Sequence, residues 1–185
     1  MSAIKIAIVG ASGRMGRMII ESVLKNPDLC LVSAIDQLGT PAIGKDAGEL
    51  VGMPCGVAVT SDVEAGIAKA DCLIDFTRPE GTLEHLAICR RHKVSIVIGT
   101  TGFDDESKQV IAEASRDIPV VFAPNMSVGV NVVFKLLDTA SRILAEGYDI
   151  EIVEAHHKHK IDAPSGTALR MGEVVAQALG RDLKS

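Results

Sequence analysis

The β-branched run IKIAIV (4–9) passes directly into GASGRMG (10–16), and that loop opens an amphipathic pattern over 14–25. Three glycines in seven residues, set between a strand and a helix, demand a tight turn and a close backbone approach, which few architectures use. The same alternation then recurs. Short Val/Ile/Leu runs at 29–35, 72–76, 94–99 and 119–123 are separated by helical patterns at 62–69, 80–92 and 104–116, opened by capping or acidic residues such as Ser61, Asp62 and Asp104. Strands that read as nearly continuous aliphatics are buried on both faces, so a parallel sheet flanked by helices is expected. Aromatic residues make up only 3% of the chain and Trp is absent, which leaves Val, Ile, Leu, Ala and Met to build the core and favours α/β packing over a β-sandwich.

Residues 37–56 hold Gly39, Pro41, Gly44, Gly48, Gly52, Pro54 and Gly56 and read as a long surface excursion after the second strand. The pattern changes near 124–130. Val133, Leu136, Leu137, Ala140 and Leu144 give helical spacing, YDIEIVEA (148–155) reads as a strand, and a last helix is expected over 165–179. The expected organisation is a Rossmann-like parallel-sheet domain over 1–127, followed by an incomplete α+β unit over 128–185 that is too small for a core of its own.

The net charge of −5 argues against nucleic acid and anionic membranes as partners. Cys30, Cys55, Cys72 and Cys89 form no CxxC pair and sit mostly in apolar runs, so buried reduced thiols are expected rather than a disulfide framework or a zinc site. With no signal-peptide pattern and no apolar run near ~18 residues, the cytoplasm is the expected location.

The glycine loop spaces its glycines as GxxGxxG, with Ser12 where the second glycine of the commoner pattern stands. Its context is informative: the next strand ends at Asp36, about 20 residues on, where a carboxylate accepts hydrogen bonds from an adenosine ribose. Strand, turn, helix, strand and acid together point to a dinucleotide. Asp36 repels a 2′-phosphate and Gln37 adds no cation, which favours NADH, whereas Arg14 within the loop can reach a phosphate and keeps NADPH open. Three further loops, FTRPEGT (76–82), GTTGF (99–103) and APNMSVG (123–129), fall at strand C-termini and outline a nicotinamide pocket.

EAHHKHKIDAPSGTA (154–168) concentrates three histidines and two lysines between His156 and Lys160. Three readings compete. Imidazoles at this spacing ligate zinc, but no Cys is near and HExxH is absent. A solvated charged loop is the second reading. The third is an anion-binding and proton-donating site, helped by Ser165-Gly166-Thr167, which begin a helix and aim hydroxyls and amides at an anion.

In this order, GASGRMG, IDFTRPEGT, VIGTTGF, NMSVGVN and EAHHKHKIDAPSGTA resemble the dihydrodipicolinate reductase family of diaminopimelate and lysine biosynthesis, from residue 4 to about 180. The resemblance implies an NADH- and/or NADPH-dependent oxidoreductase without metal, acting on a small dicarboxylate. A nicotinamide delivers hydride to C4 of the dehydrated substrate and an enzyme acid protonates the resulting enamine. By position it implies His156 as proton donor/acceptor and Lys160 as proton donor, with His157, Ser165, Gly166 and Thr167 on the substrate carboxylates. For the cofactor it implies Gly10, Ala11, Ser12, Gly13, Arg14, Met15, Asp36, Phe76, Arg78, Gly99, Thr100, Thr101, Ala123, Pro124, Asn125 and Met126. Some relatives carry arginine where Gln37 stands. Family members are homotetramers and extend well beyond residue 185, so the chain is expected to be C-terminally incomplete. Another two-domain dehydrogenase of a small amino or hydroxy acid, or a non-catalytic NAD-binding fragment, are the alternatives.

Overall fold

The computed structural model describes residues 2–158 and 163–183, and these fall into two compact units, Met1–Ala123 and Pro124–Ser185. In the first, six strands form one sheet: β1 (Ile4–Val9), β2 (Leu29–Ile35), β3 (Val59–Thr60), β4 (Cys72–Asp75), β5 (Ser95–Ile98) and β6 (Val120–Phe122). Every pairing is parallel and the order is β3-β2-β1-β4-β5-β6, the doubly wound arrangement. Helices α1 (Arg14–Lys25), α2 (Val63–Ile67), α3 (Pro79–His92) and α4 (Asp105–Ala114) connect them.

Alternation along β1 divides the core. Ala7 and Val9 join Ile67, Leu86, Cys89 and Ile111 from α2, α3 and α4, whereas Ile6 and Ile8 join Ile20 and Val23 of α1. On this second face the glycine-rich stretch is more than an excursion, because its Ala42 and Ala47 are buried in the core as a helix would be. Asp46 secures the loop, accepting hydrogen bonds from the amides of Gly48 (2.7 Å) and Gly56 (2.6 Å) and from Cys55. The Gly56 bond is the largest influence on its carboxyl; burial opposes it, the Cys55 and Gly48 bonds add to it, and the pKa falls to about 2. The two-residue edge strand β3 follows, unmarked in the sequence pattern.

The cysteines depart from expectation: all four are free thiols, but only Cys89 is buried, its thiol pushed up to about 12 by desolvation. Cys30 is exposed because it pairs with Lys5 at the N-terminal rim of the sheet, beside exposed Ile4.

In the second unit α5 (Val128–Ile143) and α6 (Gly166–Ala178) pack together. Gly172 lets Leu183 lie against α6, since an added Cβ would stand 3.2 Å from its methyls. The expected strand at 148–155 is not formed. Its alternating pattern suits a strand, but a ladder needs a neighbour to accept its amides, and no other strand occurs among the described residues of this unit. Val153 is 90% exposed. The apolar stripe of α5 is likewise open, with Val133 and Leu136 exposed and Ile143 at 75%.

Candidate functional site

In doubly wound sheets ligands settle where the strand order reverses, which here is the seam between β1 and β4. Val9 pairs with Asp75 across it, so the loops that begin at Gly10 and Phe76 leave the sheet side by side. A cleft of about 760 Å³ opens there, and Gly10, Ser12, Gly13, Asp36, Phe76 and Arg78 are in its wall.

The glycines are required by close backbone contacts. Gly10 has φ 68°, and a Cβ on Gly16 would lie 2.1 Å from the Gly10 carbonyl oxygen. Gly13 caps α1 without any side-chain hydrogen bond, and Arg78 likewise begins α3, with Pro79 following. By contrast α2 and α4 are capped by Asp62, accepting from Ala65 N–H, and Asp104, accepting from Ser107 N–H. Among the three helices whose N-termini border the cleft, α1 and α3 thus keep first-turn amides for an outside acceptor, the arrangement that receives a pyrophosphate. Asp36 accepts from Ser12 N–H (2.7 Å) and Gln37 N–H (2.8 Å), one bond to each oxygen, and retains lone pairs for hydroxyl donors.

Ala11 is buried beneath the loop and offers only backbone, while Arg14 and Met15 are exposed at the start of α1. The Phe76 ring covers Gly99, where a Cβ would fall 2.0 Å from a ring carbon. Thr100 is buried and Thr101 exposed. Ala123 ends the first unit; Pro124, Asn125 and Met126 begin the second, with the Asn125 side chain accepting from Ser127 N–H at 2.9 Å.

Two residues escaped the sequence reading. Asp75, fully buried at the end of β4, has Oδ2 2.8 Å from Nδ1 of His85, and its Oδ1 accepts from the Thr77 amide (2.9 Å) and hydroxyl (2.7 Å). Thr100 Oγ1 lies 3.4 Å from the same oxygen and accepts from Thr82 at 2.9 Å. Burial alone raises this carboxyl, but the bonds from His85 and Thr77 outweigh it and hold the pKa below the ordinary aspartate value. Asp75 therefore ties the loop after β4 to the one after β5, and His85 stands in the cleft wall. The only sequence signal was an acid closing an otherwise apolar run.

In the second unit Ser165 is buried and caps α6, its hydroxyl oxygen accepting from Ala168 N–H at 3.0 Å. Gly166 and Thr167 follow as the first helical residues. His156 and His157 are exposed, and Nδ1 of His156 lies 3.4 Å from Glu154. Lys160 and His159 lie outside the described residues. Among the described residues no group of three or more His, Cys, Asp or Glu side chains is placed to hold a metal, and no helix is long and apolar enough to cross a membrane.

Sheet order, switch-point cleft and glycine loop define the class: a dinucleotide-binding protein of the doubly wound, Rossmann-like kind. The family follows from comparison with known proteins. Residues 4–126 match the family model described as dihydrodipicolinate reductase, N-terminus, and residues 129–184 the one described as dihydrodipicolinate reductase, C-terminus. The 4-hydroxy-tetrahydrodipicolinate reductase of Dechloromonas aromatica (strain RCB) is 70% identical over 184 residues, covering 100% of this chain and 69% of that protein. The enzyme of the same name from Cupriavidus pinatubonensis (strain JMP 134 / LMG 1197) is 65% identical over 180 residues, covering 97% and 68%. A solved dipicolinate-bound dihydrodipicolinate reductase from Paenisporosarcina sp. TG-14 superposes with a TM-score of 0.74 at 32% identity, covering 95% of this chain and 66% of that one. The chain belongs to the dihydrodipicolinate reductase family and spans about two thirds of the length of these relatives.

Proposed function

We propose that this chain carries the cofactor domain (1–127) and the first part of the substrate domain (128–185) of a 4-hydroxy-tetrahydrodipicolinate reductase. The reaction forms tetrahydrodipicolinate with NADH or NADPH, in the diaminopimelate and lysine route. One observation carries the reading: a helix capped by Ser165 but with Gly166 and Thr167 at its first turn stands in one unit with His156, in a chain whose other unit holds a dinucleotide cleft.

Gly10 to Met15 would hold the pyrophosphate and Asp36 the adenosine ribose. Phe76, Arg78, Gly99 to Thr101 and Ala123 to Met126 would hold the nicotinamide half. Reduced nicotinamide supplies a hydride. The chain's own residues do the rest: His157, Ser165, Gly166 and Thr167 bind the substrate carboxylates, and His156 and Lys160 handle the proton that the reduced ring takes up.

NADH oxidation is expected only when freshly generated 4-hydroxy-tetrahydrodipicolinate is present, and Lys160→Ala should lower kcat by about a hundredfold with NADH affinity unchanged. Tight NADH binding without turnover in the full-length protein would overturn the enzymatic reading; indifference to Lys160→Ala would remove that residue from the chemistry. Asp36→Ala should weaken NADH about tenfold in a fluorescence titration and leave NADPH unchanged or tighter. Tighter NADPH than NADH in the unsubstituted chain would show that Arg14 outweighs Asp36. The family resemblance also supports a cytoplasmic location and a homotetramer for the full-length protein, the latter checked by sedimentation.

A further inference from the structure

Glu154 lies in an exposed, irregular segment directly after Val153, yet its side chain is only 29% exposed. Its two oxygens do different things. Oε1 accepts the backbone N–H of Ser165 at 2.8 Å, across eleven residues of chain, and Oε2 stands 3.4 Å from Nδ1 of His156.

The first contact completes a helix start in an unusual way. In a capping box the hydroxyl of the N-cap residue takes the N3 amide, and a Glu at N3 returns to take the N-cap amide. Ser165 performs the first half on Ala168 N–H, but Ala168 itself occupies N3 and has no carboxylate to return. Glu154 supplies the missing half from upstream, and its negative charge is favoured at the positive end of α6. A carboxylate from N3 would have capped the helix equally well without touching an imidazole.

The second contact is at ion-pair rather than hydrogen-bond distance, as catalytic contacts often are before a ligand binds. A carboxylate accepts only, so it selects the imidazole form that carries a proton on Nδ1 and leaves Nε2 as the ring nitrogen for a ligand. One side chain thereby touches both the His156 ring and the start of the Ser165-Gly166-Thr167 turn.

We infer that Glu154 is a positioning residue, holding His156 through Nδ1 while tying it to the start of α6, so that the proton-handling ring and the carboxylate-binding turn move as one body. The inference rests on the role proposed above for His156, but its central contact is measurable without turnover. In ¹⁵N-histidine-labelled protein, with His156 assigned by the signal lost in His156→Asn, neutral His156 should be the Nδ1–H tautomer. Glu154→Gln keeps the length of the side chain and an acceptor for Ser165 N–H, but it turns an N–H toward the ring. His156 should switch to the Nε2–H tautomer. kcat in the full-length enzyme should then fall at least about tenfold, with substrate KM, NADH affinity and melting temperature nearly unchanged. Glu154→Asp, still a carboxylate but shorter, should restore part of the Nδ1–H population and part of kcat.

An Nε2–H tautomer in the unsubstituted protein would overturn the inference whether or not any variant folds. So would a tautomer unmoved by Glu154→Gln, or a switched tautomer with kcat intact. Absence of turnover in the unsubstituted enzyme would instead count against the proposed reaction and leave the tautomer result to decide the placement of His156.

Discussion

A Gly16→Val chain should bind neither NADH nor NADPH above background and should show no reductase activity, the largest loss expected from a single substitution outside the proton-handling residues. The clash begins at Cβ, 2.1 Å from the Gly10 carbonyl oxygen and 2.8 Å from that of Ala11, so no side-chain rotamer relieves it. Either α1 or the glycine turn must move, and Ala11 beneath the turn is fully buried, which leaves little room for the turn to yield. A displacement of about 1 Å at a binding loop is enough to cost a hundredfold in a dependent reaction, and here the atoms that move would carry the pyrophosphate contacts themselves. Calorimetric or fluorescence titration with both cofactors gives the answer. Wild-type affinity in Gly16→Val would mean that the turn is not the cofactor seat.

Asp75→Ala should lower unfolding free energy by roughly 3–5 kcal/mol, because it removes one member of a buried pair and leaves His85 and the Thr77 and Thr100 hydroxyls facing a void. Urea denaturation measures it, and cofactor affinity should fall in parallel as the loops after β4 and β5 lose their common anchor. The pH dependence has a definite sign. A carboxyl whose folded pKa lies below its ordinary 3.8 contributes stability that is complete above that value and disappears as pH falls through the lower, folded-state value. The difference between wild type and Asp75→Ala should therefore be constant near neutrality and shrink below about pH 4. A difference that widened on acidification would contradict this assignment of charge.

Much of the first unit was legible because its signals are local. β1, α1 and β2 fall at the residues expected, since an aliphatic run that stops at a glycine or an acid leaves little freedom at the boundary. What was not legible depends on partners distant in the chain. Ala42 and Ala47 are isolated small residues among glycines, with no periodicity to show that they seal one face of the sheet. β3 is two residues long and exists only because Ala34 and Ile35 are there to pair with it. The 148–155 stretch has the alternation of a strand but no ladder. Within the candidate site, the glycine turn and Asp36 were readable from spacing, whereas Asp75 and His85 meet only when a strand end and the second turn of a helix are brought together. Glu154 was visible as the first letter of a motif, but the reach of its carboxylate to Ser165 was not.

The thin packing between α5 and α6 has a consequence for how the chain opens. Ser141, Gly172, Val174 and Ala176 are the buried positions of these helices, against two layers of aliphatic residues around the sheet. Amides at the centre of β1, β4 and β5 should exchange with solvent deuterium only when the first unit unfolds as a whole, while those of α5 and α6 exchange through small local fluctuations. Limited proteolysis should follow the same division, trimming the chain from its C-terminal side back to the neighbourhood of Ala123 and leaving a resistant nucleotide-binding core.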